Sequence, residues 1–73
     1  MLTKSLHTIT AVANVAKYLR DSNAVRLDGT AADADRLTRR ALEVLGYKVN
    51  VPVAMHSDET VRRCVDAVAK VLS

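Results

Sequence analysis

Apolar positions along this chain recur with a helical period in three stretches, and two short extended stretches lie between them. Leu2, Leu6, Ile9, Val12, Ala13, Ala16 and Leu19 fall on one side at 3.6-residue spacing, which predicts a helix from about Leu2 to Asp21. Lys4, His7, Ala11, Asn14 and Tyr18 take the opposite side. Several β-branched residues weaken helix propensity here and make a strand over part of the stretch the competing reading. The period decides for helix. Asp21-Ser22-Asn23 stops it, Val25-Arg26-Leu27 alternates as a short strand does, and Asp28-Gly29 turns the chain.

Thr30, with Asp33 three residues later, has the form of a capping box and opens a second helix that runs to about Leu45. Ala34, Leu37, Ala41, Val44 and Leu45 are its predicted apolar face, and Gly46 stands where a left-handed residue closes a helix. Val49, Val51 and Val53 then alternate with Asn50 and Pro52 as far as Met55. That pattern reads as an extended strand, which Pro52 restricts to an edge or an irregular path because proline has no N–H to donate. Ser57 or Asp58 caps a third helix, with Val61, Cys64, Val65, Val68, Val71 and Leu72 as its buried stripe.

The order is therefore α-β-α-β-α, in a mainly α, single three-helix domain spanning residues 1–73. If the two strands paired, the helix between them would make a parallel, right-handed crossover. A two-stranded sheet is too small to be stable alone. The extended segments are expected either to continue across a dimer or to run as loops over the helices, the second being favoured.

Size sharpens this picture. A chain of 73 residues buries a small fraction of its surface, and stability at that length usually draws on a disulfide, a metal or self-association. A single cysteine excludes an internal disulfide. With 49% apolar residues but only Tyr18 and Tyr47 aromatic, the core must be built from alanine, valine and leucine. Such a core has little bulk, and a homodimer is the expected assembly. The apolar content is too high for intrinsic disorder.

The net charge of +3 comes entirely from residues 1–27, where Lys4, Lys17, Arg20 and Arg26 face Asp21 alone. A surplus this small is a weak nucleic-acid signal. No apolar run is long enough to cross a membrane, and polar residues interrupt the N-terminal stretch too often for a signal peptide. One lone cysteine suits a reducing compartment, so a cytoplasmic protein is expected.

Candidate chemistry is sparse. Cys64 is the one thiol, but it sits on an apolar helical stripe, where cysteine acts as a small hydrophobe. His7, His56 and Cys64 lack the spacing of a zinc set. Asp33, Asp58 and Glu59 lie in first helical turns, where the dipole favours negative charge. Asp35–Arg39, Glu59–Arg63 and Asp66–Lys70 are acid-first i,i+4 pairs. Asp28-Gly29-Thr30 before a helix has too little glycine and too much acid for a phosphate loop, and no nucleotide fingerprint occurs. No catalytic residue, cofactor or metal is predicted.

Two surfaces are left as partner-binding candidates. Arg36, Arg39 and Arg40 share the polar face of the second helix, spaced to follow a phosphate backbone or clamp an acidic partner, or to form a salt-bridged surface with Asp33, Asp35 and Glu43. About eleven residues separate the second and third helices, too many for a helix-turn-helix. Lys4, His7, Asn14 and Tyr18 make a polar line on the first helix, flanked by Lys17, with the composition of an interface. The sequence thus predicts a non-catalytic protein-interaction module: a small adaptor, inhibitor or regulatory subunit in the style of a phage or mobile-element accessory protein. The alternative is a dimeric nucleic-acid-binding regulator that uses the arginine cluster.

Overall fold

The computed structural model describes residues 5–50 and 52–73. It is a three-helix domain: α1 (Ser5–Asp21), α2 (Ala32–Val44) and α3 (Glu59–Leu72), with a single 3₁₀ turn at Val53–Met55 before α3. Each helix packs against the other two. Val12, Ala16 and Leu19 of α1 meet Leu37, Ala41 and Leu42 of α2 and Val61, Cys64 and Val68 of α3, and Val49 and Val53 close the core from the connecting segment. Leu2, Lys4 and Val51 lie outside the described residues.

No strand is present among the described residues, so both predicted strands are corrected to irregular segments. The reason is visible at 49–53. A strand there would need a neighbouring ladder, but α2 supplies the hydrogen bonds instead. The Val53 N–H donates to an Asp35 carboxylate oxygen at 2.7 Å, and the Arg39 guanidinium donates to the Val49 carbonyl at 3.4 Å. Buried backbone groups must be satisfied, and side chains of a helix satisfy them here. The alternation of valines still reports burial, since Val49 and Val53 are both in the core. Val25 and Leu27 likewise pack against the core without pairing.

The exits of α1 and α2 use the same device. At the end of α2, Gly46 has φ +92°, its N–H donates to Glu43 O, and the Tyr47 N–H donates to Leu42 O. At the end of α1, Asn23 takes φ +58°, its N–H donates to Arg20 O, and the Ala24 N–H donates to Leu19 O. These are paired 5→2 and 6→1 bonds of the Schellman type, with a left-handed residue at the turning position. Asparagine tolerates that conformation better than other non-glycine residues.

Entry to α2 differs from the predicted capping box. The residue before the helix is Ala31, already helical in backbone angle and with no capping side chain. Thr30 contributes only its carbonyl, which accepts from the Asp33 N–H at 3.0 Å. Asp33 turns backwards instead: its carboxylate accepts from the N–H groups of Asp28 at 2.9 Å and Gly29 at 2.7 Å. The entrance to α3 follows expectation. Asp58 is the N-cap, with its carboxylate accepting from the Thr60 N–H at 2.8 Å.

The buried face of α2 is also rotated from the predicted one. Leu37 and Ala41 are buried as expected, but Thr38, Leu42 and Asp33 complete the face, while Val44 and Leu45 are exposed. Thr38 settles its hydroxyl by donating to Ala34 O at 2.6 Å. On α3, Val61, Cys64 and Val68 are fully or nearly fully buried, and Val65 and Leu72 pack at the margin. Arg20 of α1 ties the far end of α3 by donating to the Val71 carbonyl.

Candidate functional site

The three arginines of α2 do not form a free cationic cluster. Arg36 donates to Arg26 O at 3.0 Å and to Asp33 at 2.9 Å, and it stands 3.4 Å from Asp28. It therefore holds the 26–33 loop against the helix. Arg39 reaches across to the Val49 carbonyl, on the other flank of the helix. Arg40 pairs with Glu43 at 3.0 Å. Each guanidinium already serves an acceptor of its own chain, and the three point to different neighbours. A shallow hollow lined by Asp35, Arg36, Arg39 and Pro52 lies beside them, and its acid offsets part of the positive field.

The acidic residues are similarly occupied. Asp33 is buried, and its carboxyl is held below the usual carboxylate range by the Asp28 and Gly29 N–H groups and by the Arg36 charge, against the opposing effect of burial. Glu59–Arg63 closes as predicted at 2.8 Å. Among the described residues, Asp35–Arg39 and Asp66–Lys70 do not reach ion-pair distance; Asp35 has turned to Val53 instead.

Cys64 is fully buried in α3 and donates to Thr60 O at 3.2 Å. Burial, with the Asp58 charge adding to it, pushes its thiol up to about 11. A thiol in that state is mostly protonated near neutrality and is a poor nucleophile or metal ligand. His56 accepts the Asp58 N–H through Nδ1 at 3.0 Å, and its carbonyl accepts from Arg62 at 2.6 Å, so it braces the turn into α3. No group of three or more His, Cys, Asp or Glu residues converges on a metal-sized site among the described residues. None of the helices searched is long and apolar enough to cross a membrane.

The α1 line fares differently from the arginines. Asn14, Lys17 and Tyr18 are all exposed, and Tyr18 shows 71% of its surface. Among the described residues, no hydrogen bond or ion pair of the fold draws on their side chains. They lie within five residues on one side of α1, away from the core face of Val12, Ala16 and Leu19. Lys4 and the side chain of His7, the remaining members of the line, fall outside what the structure describes.

A second exposed surface was not anticipated from the sequence. Val44, Leu45 and Tyr47 crowd the end of α2, and Thr8 and Ala11 of α1 join Leu45 and Tyr47 around a hollow of about 200 Å³. On the other side of Tyr47, Glu43, Lys48, Val49 and Asn50 border a hollow of about 330 Å³. The signal lies in the sequence, where Val44 and Leu45 continue an idealised helical stripe, but α2 ends at Val44 and both side chains are exposed.

Comparison with protein-family models, with curated proteins and with solved structures finds no match for this chain. The functional reading rests on the surface itself.

Proposed function

We propose that the protein is a non-catalytic interaction module, an adaptor, inhibitor or regulatory subunit, that recognises another protein through the outer side of α1. The observation that carries this reading is the state of Asn14, Lys17 and Tyr18: adjacent, exposed and, among the described residues, outside every side-chain hydrogen bond and ion pair. A surface tyrosine contributes large, rigid contact area at small entropic cost, and tyrosine is enriched among residues that dominate binding energy. An amide and an ammonium beside it supply directional polar contacts at the rim. The fold offers a rigid base for them, since α1 is clamped by both other helices and by the Arg20–Val71 tie.

The nucleic-acid alternative has less support. Its phosphate contacts were assigned to Arg36, Arg39 and Arg40, and each of these would have to give up an internal acceptor or share it. Backbone-tracking proteins rely on cations available to neutralise phosphates.

A pull-down from lysate, treated with nuclease and washed at moderate salt, separates the readings. The expected result is a discrete protein retained by the wild type and lost with Tyr18→Ala, while the circular dichroism spectrum is unchanged. Retention of nucleic acid only at low salt, abolished by replacing Arg36, Arg39 and Arg40, would install the regulator instead. Equal retention by wild type and Tyr18→Ala would remove α1 from the interface.

A further inference from the structure

Entry to α3 hangs on one imidazole. His56 follows the 3₁₀ turn, where its own N–H donates to the carbonyl of the buried Val53 at 3.0 Å, so its backbone is tied to the core. Its ring faces forward: Nδ1 accepts the Asp58 N–H at 3.0 Å, and Asp58 caps the helix by accepting the Thr60 N–H at 2.8 Å. Arg62, in the first turn of α3, reaches back to the carbonyls of His56 at 2.6 Å and Ser57 at 3.1 Å. A backbone amide can only donate. The Asp58 contact therefore requires a lone pair on Nδ1, which belongs to the neutral ring with its hydrogen on Nε2. Protonation places a hydrogen on Nδ1 and sets two donors against each other. We infer that His56 is a proton-operated latch: the neutral ring holds the first turn of α3, and the imidazolium releases it.

His56 is half-buried, so solvent protons reach it, and histidine is the side chain that ordinarily changes charge between about pH 5 and about pH 8. Charged and titratable groups approach it from each neighbouring element. On α3 and its cap, the Asp58 carboxylate attracts an imidazolium and Arg62 opposes one, while Glu59 is closed on Arg63 at 2.8 Å. The segment after α2 brings Tyr47 and Lys48, which line a hollow of about 260 Å³ together with His56, Asp58 and Val61. From α2, Asp35 and Arg39 reach the connecting segment, bonded to the Val53 N–H and the Val49 carbonyl. The positive end of the α3 dipole also disfavours a cation here. The attraction comes from the residue that the ring releases. A protonated ring that turns to the Asp58 carboxylate competes with the Thr60 N–H for the cap, so protonation weakens the helix entry twice. Val61, Cys64 and Val68 anchor the rest of α3 in the core, which confines the release to the first turn and the adjoining hollow. The latch uses none of Asn14, Lys17 or Tyr18 and stands apart from the α1 reading.

Two-dimensional NMR of the full chain between about pH 8 and about pH 5 tests this. The expected result is that the Asp58 and Thr60 amide resonances move with the midpoint of the His56 ring. Protection of the Asp58 amide from hydrogen exchange, taken relative to an unstructured chain at the same pH, should fall about five-fold, as loss of one ordinary hydrogen bond gives. The Leu42 and Val68 amides should keep their protection. In His56→Asn the side-chain carbonyl oxygen accepts at every pH, so the Asp58 and Thr60 resonances should stay level; this variant retains His7 as its one imidazole. Amides of Asp58 and Thr60 that ignore the ring's titration overturn the latch, and so does a response that persists in His56→Asn. Should that variant fail to fold, the ring nitrogen shifts of the wild type decide. A hydrogen on Nε2 of the neutral ring supports the latch, and a hydrogen on Nδ1 rejects it.

Discussion

Asp33 shows how one side chain can shape a whole loop. It is a carboxylate in the first turn of α2, a position that helix electrostatics favours, yet its main partners lie behind the helix, at the Asp28 and Gly29 N–H groups. Those bonds exist only for the ionised or acceptor form. Its folded pKa lies below the ordinary value of 3.8, so its stabilising contribution is complete above 3.8 and is lost as pH falls through the folded value. The urea midpoint of the wild type should therefore fall steeply in acid, and Asp33→Asn should lower the midpoint near neutrality and flatten that fall. Parallel acid profiles for the two proteins would show that Asp33 contributes no linkage. Cys64 has the opposite sign. Its thiol is raised from 9.0 to about 11, so the stability it contributes is complete below pH 9.0 and declines as pH rises through about 11. Native protein should react with a thiol reagent at pH 8 many-fold more slowly than urea-unfolded protein. Similar rates would mean that Cys64 is accessible and the core assignment of α3 is wrong.

At the scale of elements, helix ends decide more than helix interiors do. An added Cβ at Gly46 meets nothing within 4 Å, so a substitution there is opposed by backbone conformation rather than by crowding. Gly46→Ala should cost about 1–2 kcal/mol, the usual penalty for an L side chain in the left-handed region. Gly46→Asn should cost less, since asparagine already performs this turn at position 23. Chemical denaturation of the two variants checks the order, and an alanine variant as stable as wild type would deny that φ +92° is required. The sequence made Gly46 legible as a helix stop because its chemistry is local. It also made Asp58 legible as a cap. Thr30 misled for a related reason: the capping box pattern is local, but the Asp33 carboxylate finds its donors in the N–H groups of a loop four and five residues back and in Arg36. The strands failed on a non-local fact. Alternating valines specify which side chains are buried, whereas the partner for their backbone groups, here Asp35 and Arg39, is set by tertiary packing.

For the molecule as a whole, three helices were readable from periodicity, but the phase of the α2 face was not. An ideal stripe through Leu37 and Ala41 continues to Val44 and Leu45; the packed helix instead buries Thr38 and Leu42. The same error hid one candidate surface, because residues counted as core cannot be counted as interface. The arginine cluster is visible in sequence as three cations at close spacing, and its Arg36–Asp33 and Arg40–Glu43 pairs are local i,i+3 contacts of α2 that the spacing allows, whereas the acceptors on Arg26 and Val49 depend on where the loops return. The rotated phase makes a direct prediction. Leu37 and Leu42 are both fully buried, so Leu37→Ala and Leu42→Ala should each cost roughly 2–5 kcal/mol, as removal of a packed leucine does. Leu45→Ala should cost clearly less, since Leu45 is 37% exposed. Urea titrations give the ranking. An idealised stripe makes Leu45 costly and places no weight on Leu42; a small effect at 42 with a large one at 45 would restore that stripe and remove the exposed face at the end of α2.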